Sequence, residues 1–185
     1  YAHTPAALES ALSNLKEQFP FNKINLIFGC GGDRDFKKRS LMGKIAEKYS
    51  NEIYLTDDNP RNEKPFKIRN EIKKGIKNKR IHEIPDRKKA IQEAVKNLKT
   101  GDILLVAGKG HEKIQDYGKK RTFFSDQKVI LSSIRAKNKF LSKNIKLNII
   151  QEQSKLNLSN KIKIKDASIN SKLVKKNDIF FAIKG

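Results

Sequence analysis

The stretch INLIFGCGGDRDFKKRSLMGKIAEKYSNEIYLTDDNP (24–60) alternates two hydrophobic periods. INLIFGC (24–30) is a short apolar run leading into glycine, the pattern of a strand buried on both faces. SLMGKIAEKYS (40–50) returns apolar residues at helical spacing. EIYLT (52–56) is a second strand, stopped by Asp57, Asp58, Asn59 and Pro60. Strand, helix and strand in succession make a βαβ unit, whose crossover lays the two strands parallel.

The alternation continues on both sides. PAALESALSNLKEQF (5–19) sets Leu8, Leu12, Leu15 and Phe19 at helical spacing, with Thr4 as N-cap and Pro5 at the first helical position. FKIRNEIKKGI (66–76) reads as a helix, IHEIP (81–85) as a short strand, and DRKKAIQEAVKNL (86–98) as a helix capped by Asp86. DILLVAG (102–108) is the strongest central-strand pattern, because its apolar residues run together. KIQDYG and KRTFFS suggest an edge hairpin turning at Gly118, and DQKVILSSIRAKNKFL (126–141) a closing helix. The expectation is an α/β domain over 1–141, with a mostly parallel sheet and flanking helices.

The chain has 185 residues and a net charge of +21, with a single cysteine. That length suits one domain with a real core and no staples. A lone Cys30 excludes an internal disulfide and fits a reducing cytoplasm. No run approaches 18 apolar residues and the first residues lack a basic n-region, which argues against membrane insertion and secretion. The chain starts without Met inside what reads as a motif, so a fragment is expected. Most of the 41 basic residues are lysines interleaved with Asn and Ile rather than gathered in a stripe, the mark of an A/T-rich codon bias. A basic nucleic-acid-binding module is therefore the rival reading, and no nucleic-acid partner is expected. After residue 142 the texture becomes Lys/Asn-rich. A linker over 142–160 and a truncated β-rich segment over 161–185 are expected.

Three loops each follow an expected strand: GCGGDRDFKKR (29–39), TDDNPRNEKP (56–65) and GKGHE (108–112). In an open parallel sheet such loops share one rim, where ligands collect. GCGGDRD is either an anion-approachable glycine loop followed by Arg34, or an ordinary turn with a solvated arginine. It is not a P-loop, since GxxxxGK[ST] occurs nowhere in the chain. DNPR holds Arg61 beside the amide of Asn59 through rigid Pro60, or is only a turn. GKGHE offers Lys109 to balance phosphate charge and Glu112 to accept from an ammonium, while His111 either does acid–base work or orients its loop. His82 and Cys30 read as structural, and three scattered histidines give no metal-ligand spacing.

YAHTPAALE, FGCGGDRDFKKRSLMGKIAE, TDDNPRNE, DRKKAI and VAGKGHE follow one another across 1–137, and in this the chain resembles the carboxyl-terminal domain of the Mur ligases, in their diaminopimelate-adding form. The resemblance implies a Rossmann-like domain that supplies the site of the incoming amino acid. It implies that Arg34, Asn59, Arg61, Gly108 and Glu112 contact meso-diaminopimelate, with Asp58 and Pro60 in the same DNPR string, the form associated with that acceptor. His3 and Tyr1 fall near the nucleotide. Ser40 departs from a proline frequent after KR. The family's P-loop, carbamylated lysine and Mg2+ ligands lie upstream, so ATP and Mg2+ are expected mainly on a central domain that is also the partner. No catalytic residue or metal site is expected here, and the stretch should be inactive alone. The implied reaction activates the glutamyl carboxylate of UDP-N-acetylmuramoyl-L-alanyl-D-glutamate as an acyl phosphate, which the diaminopimelate amine attacks, in the cytoplasm.

The tail ASINSKLVKKNDIFFAIKG resembles the start of a Mur ligase amino-terminal domain, with Asn170, Lys172 and Asn177 departing from the D-S-R-x-V-x-x-G-D-x-F-x-A-x-x-G pattern. That implies a fusion, with the D-alanyl-D-alanine-adding ligase as natural second enzyme. The alternative within the class is a related Mur or folylpolyglutamate-type ligase with another acceptor.

Overall fold

A computed structural model describes residues 2–77, 80–151, 167–168 and 179–181, with side chains up to Phe140. Tyr1 and most of the tail lie outside the described residues. The chain runs α1 (Pro5–Gln18), β1 (Ile24–Phe28), α2 (Lys37–Tyr49), β2 (Glu52–Leu55), α3 (Pro65–Lys73), β3 (Ile81–Glu83), α4 (Arg87–Asn97) and β4 (Ile103–Val106). A hairpin follows, β5 (Ile114–Asp116) and β6 (Arg121–Phe123), then α5 (Asp126–Gln151), β7 (Ala167–Ser168) and β8 (Ile179–Phe181). The main sheet has the order β3-β2-β1-β4-β8-β7, parallel at every pairing. The hairpin is a separate antiparallel pair with Ile114 opposite Phe123.

Both faces of the sheet are covered, and the side-chain alternation of a strand distributes the core accordingly. Leu26, Phe28, Ile53, Leu55, Ile103 and Leu105 pack with Leu8, Leu12, Leu15, Met42 and Ile72 from α1, α2 and α3. Ile27, Tyr54, Leu104 and Val106 point the other way, onto Ile91, Ala94, Val95, Ile130 and Ile134 of α4 and α5. The caps follow the sequence: Thr4 Oγ1 accepts from the Ala7 N–H at 3.3 Å, and Asp86 Oδ1 from the Lys89 N–H at 3.0 Å.

Two boundaries differ from expectation. α2 starts at Lys37, three residues early, because Asp35 Oδ1 accepts the Lys37 N–H at 2.9 Å. That early turn matters, since it carries Arg39. α5 continues beyond 141 to Gln151, into the stretch expected as linker. No glycine or proline interrupts residues 126–151, and Leu141, Ile145 and Ile149 keep helical spacing. The strand-like tail contributes β8, which pairs with β4.

Candidate functional site

The loops after β1, β2 and β4 open around one cavity of about 510 Å³. Its lining includes His3, Gly29, Gly31, Arg34, Asp58, Asn59, Arg61, Gly108 and Glu112. Of the described residues that the resemblance assigns to the acceptor or the nucleotide, Pro60 alone stays off the wall. It is buried, and its carbonyl packs so tightly on Gly32 that a Cβ there would fall 1.8 Å from it.

Hydrogen bonds bind the loops after β1 and β2 to each other and to the hairpin. Gly32 N–H donates to Asn59 O at 2.9 Å, and Arg61 N–H donates to Asp116 O at 3.0 Å. Gln115 Nε2 donates to Asp58 O at 3.0 Å, so the hairpin braces the DNPR turn. Arg61 sits at φ 51, a left-handed conformation secured by that backbone bond and by Nη1 donating to Gly32 O at 2.6 Å. Gly108 has φ 110, a region almost closed to other residues, and a Cβ on it would lie 2.4 Å from Asp58 Oδ2. Glycine is needed there for the carboxylate to reach the cavity.

The charges divide by depth. Arg34 is exposed and Arg61 half-buried, whereas Asp58 and Asn59 are each 8% exposed and Lys109 is 0% exposed. Lys109 Nζ donates to Asn59 Oδ1 at 2.7 Å and lies 3.5 Å from Glu112 Oε2 and 3.9 Å from Asp58 Oδ1. This corrects the expectation that it offers its charge to a phosphate. It is enclosed, and burial pulls its ammonium down while Asp58 and Glu112 push it back up. Burial likewise raises the Asp58 carboxyl, opposed by Arg87 and Lys109. Asn59 Nδ2 donates to Glu112 Oε2 at 2.9 Å.

Two buried arginines that the sequence reading did not single out hold this assembly. Arg39 donates through Nη1 to Glu63 Oε2 at 2.8 Å and Glu71 Oε2 at 2.7 Å, and through Nη2 to Gly31 O at 3.1 Å. It ties α2 to the glycine loop, the DNPR loop and α3. Arg87 forks onto Asp126, with Nε and Nη2 at 2.8 and 2.7 Å, and Nη2 also donates to Ala107 O at 2.9 Å. It fixes the end of β4 just before Gly108. Their signal was present in FKKR and DRKKAI, yet nothing in a basic, Lys-rich sequence separates a buried arginine from a solvated one.

The remaining singled-out residues fall as follows. His3 lines the cavity, and its carbonyl accepts from Lys38 Nζ at 2.9 Å. His111 is exposed, on the rim of an adjoining hollow of about 500 Å³ that shares Asn59, Arg61 and Glu112. His82 stacks on Tyr54 at 4.5 Å and meets Glu52 Oε2 at 2.6 Å, a structural arrangement. Cys30 is buried against Met42, its Sγ 3.6 Å from Sδ, with its thiol pushed up to about 12 by burial. Among the described residues no group of three or more His, Cys, Asp or Glu could hold a metal ion. None of the described helices is long and apolar enough to cross a membrane.

The family model described as "Mur ligase, glutamate ligase domain" matches residues 1–110. The chain belongs to the Mur ligase family. It is 51% identical over 136 residues to the UDP-N-acetylmuramoyl-L-alanyl-D-glutamate–2,6-diaminopimelate ligase of Rickettsia montanensis, covering 73% of this chain and 28% of that one. It is 55% identical over 128 residues to the enzyme of the same name from Wigglesworthia glossinidia brevipalpis, covering 69% and 26%. A solved structure of a ligase with that name superposes at a TM-score of 0.69 with 44% identity, over 74% of this chain and 28% of that one. The Mur ligase domain described here thus spans little more than a quarter of the relatives it matches.

Proposed function

We propose that this chain is the amino-acid-accepting part of an ATP-dependent Mur ligase that joins meso-diaminopimelate to UDP-N-acetylmuramoyl-L-alanyl-D-glutamate in the cytoplasm. One observation carries the reading: guanidinium groups of Arg34 and Arg61 and carboxylates of Asp58 and Glu112 line the same cavity of about 510 Å³. A diamino dicarboxylic acid carries both ammonium and carboxylate groups, so it matches both signs at once. Lysine lacks the second carboxylate and leaves one guanidinium without a partner.

In this reading Arg34 and Arg61 take carboxylates, Asp58 and Glu112 take an ammonium, and the remaining amine is turned toward the activated glutamyl group. The part played by these residues is orientation, which turns a meeting of two molecules into a reaction within one complex. ATP, in its magnesium form, would supply the phosphoryl group that activates the glutamyl carboxylate. GxxxxGK[ST] is absent from the sequence, so its phosphates are assigned to a central domain of the enzyme. His3, on the cavity wall, and Tyr1, two residues before it in sequence, are proposed to meet the nucleotide from this side. From the tail's resemblance, a D-alanyl-D-alanine-adding ligase is proposed to follow, and the reading frame downstream tests it.

The test is a titration of the 15N-labelled chain with meso-diaminopimelate and with L-lysine, followed by amide NMR. Diaminopimelate is expected to shift the amides of Arg34, Asn59, Arg61 and Glu112 and to bind more tightly than lysine, with no ATP turnover by the chain itself. Equal affinity for the two amino acids would remove diaminopimelate as the acceptor. Retention on DNA with a steep salt dependence would favour the nucleic-acid alternative.

A further inference from the structure

We propose that Lys109 is the positioning residue of the acceptor site: lodged between Asn59, Glu112 and Asp58, its ammonium fixes the Asn59 amide and favours the charged form of the buried Asp58 carboxylate. The proposal rests on the acceptor reading above for the ligand, but its charge arrangement can be measured without one.

The geometry begins with the amide. Asn59 Oδ1 faces two donors, Lys109 Nζ at 2.7 Å and the Asp116 N–H at 3.0 Å. A flipped amide would set its NH2 against an ammonium and a backbone N–H, so only one orientation is tolerable. Nδ2 is thereby turned to Glu112 Oε2 at 2.9 Å. The same Oε2 lies 3.5 Å from Lys109 Nζ, which directs both partners to one oxygen and leaves Oε1 for a ligand.

Charge makes the second half of the argument. Asp58 and Glu112 line one cavity, and two neighbouring carboxylates resist ionising together. The groups facing Asp58 are Arg87, Lys109, Glu112 and Asp126. Burial, Glu112 and Asp126 favour its protonated form, and Arg87 and Lys109 oppose them. Arg87 is already forked onto Asp126 behind the site, whereas the fully buried Lys109 has its Nζ 3.9 Å from Asp58 Oδ1. The groups facing Lys109 are in turn Asp58, Arg87, Glu112 and Asp126. Without Lys109, Asp58 would titrate upward and a site meant to attract an ammonium would lose one of its two anions as pH falls.

Lys109→Met keeps the length of the side chain and removes the charge. In 13C carboxylate NMR of the whole 185-residue chain, the Asp58 titration is expected to move to higher pH in this variant. Its affinity for meso-diaminopimelate should fall about tenfold or more at neutral pH, the usual weight of a close opposite charge, and recover partly as pH rises. A merely structural lysine would lower affinity equally at all pH values and leave Asp58 where it was, and that result would overturn the proposal. Should Lys109→Met fail to fold, Glu112→Gln at the rim serves instead: the Lys109 ammonium should then titrate at lower pH, and an unchanged value would overturn it equally. A wild-type chain that bound no diaminopimelate would strike the acceptor reading, while the Asp58 titration would still decide the role of Lys109.

Discussion

The two charged walls of the cavity are built on different physical terms. The anionic wall is deep except at Glu112, whose side chain is 33% exposed at the rim: Asp58 and Asn59 are 8% exposed, Lys109 is enclosed, and hydrogen bonds from Asp116 and Gln115 fasten the turn to the hairpin. The cationic wall is shallow, with Arg34 exposed on its loop and Arg61 held by Gly32 O and Asp116 O. A charge out of water acts strongly and cannot rearrange cheaply, whereas a surface guanidinium is screened and adapts to its ligand. On the proposed acceptor reading, the deep wall would set which sign of group is accepted, and the shallow wall would discriminate among ligands that pass.

The largest effect should come from beneath the deep wall. Arg87→Met leaves Asp126 buried without its cation and should destabilise the fold by about 3–5 kcal/mol, read as a fall in urea midpoint. A loss under 1 kcal/mol would mean that the deep wall does not depend on this pair.

Next comes the shallow wall. Arg61→Ala should cost about 2 kcal/mol or more in affinity for diaminopimelate, roughly thirtyfold, with a smaller effect on lysine and little on stability. Calorimetry with both amino acids checks it. An unchanged preference would move the discrimination to Arg34. Arg61→Lys should recover only part, because an ammonium keeps the charge and loses the fork.

Gly108→Ala joins the two walls at their seam. Its φ of 110 and the 2.4 Å approach to Asp58 Oδ2 should cost about 1–3 kcal/mol of stability and displace the carboxylate from the cavity. Thermal unfolding together with the Asp58 carboxylate signal would show both.

The smallest effect belongs to Glu63, which is one-third exposed at 33% and held below the usual carboxylate range by Arg39. A lowered value means the ionised form favours the fold. Its contribution is present above the unfolded value of about 4.3 and is lost as pH falls through the lower folded one. Glu63→Gln should thus lower stability by under about 1 kcal/mol at neutral pH and converge with the parent in acid. Curves that stayed parallel down to pH 3 would show that Glu63 acts through shape alone.

Much of the architecture was legible locally. Apolar runs such as ILLV and INLIF announce strands buried on both faces, Thr4 and Asp86 announce helix starts, and Gly118 announces the hairpin, because each depends on neighbours a few residues away. The order GCGGDRD, DNPR, GKGHE also sufficed to put the three loops on one rim, since parallel strands leave no other arrangement. α5 runs on to Gln151 because its spacing stays helical where Lys/Asn composition suggests a linker.

What tertiary structure alone decided is the state of the charged residues. In a chain with 41 basic residues, nothing local marks Arg39 and Arg87, and nothing marks Lys109 of GKGHE as enclosed, yet these three are buried and paired with Glu63, Asp126 and Asn59. Their partners lie 24, 39 and 50 residues away, distances at which no local pattern operates. Hydrophobic periodicity is written into consecutive residues. The pairing of a buried charge exists only once the sheet has brought its loops together, and on that pairing the chemistry of the cavity depends.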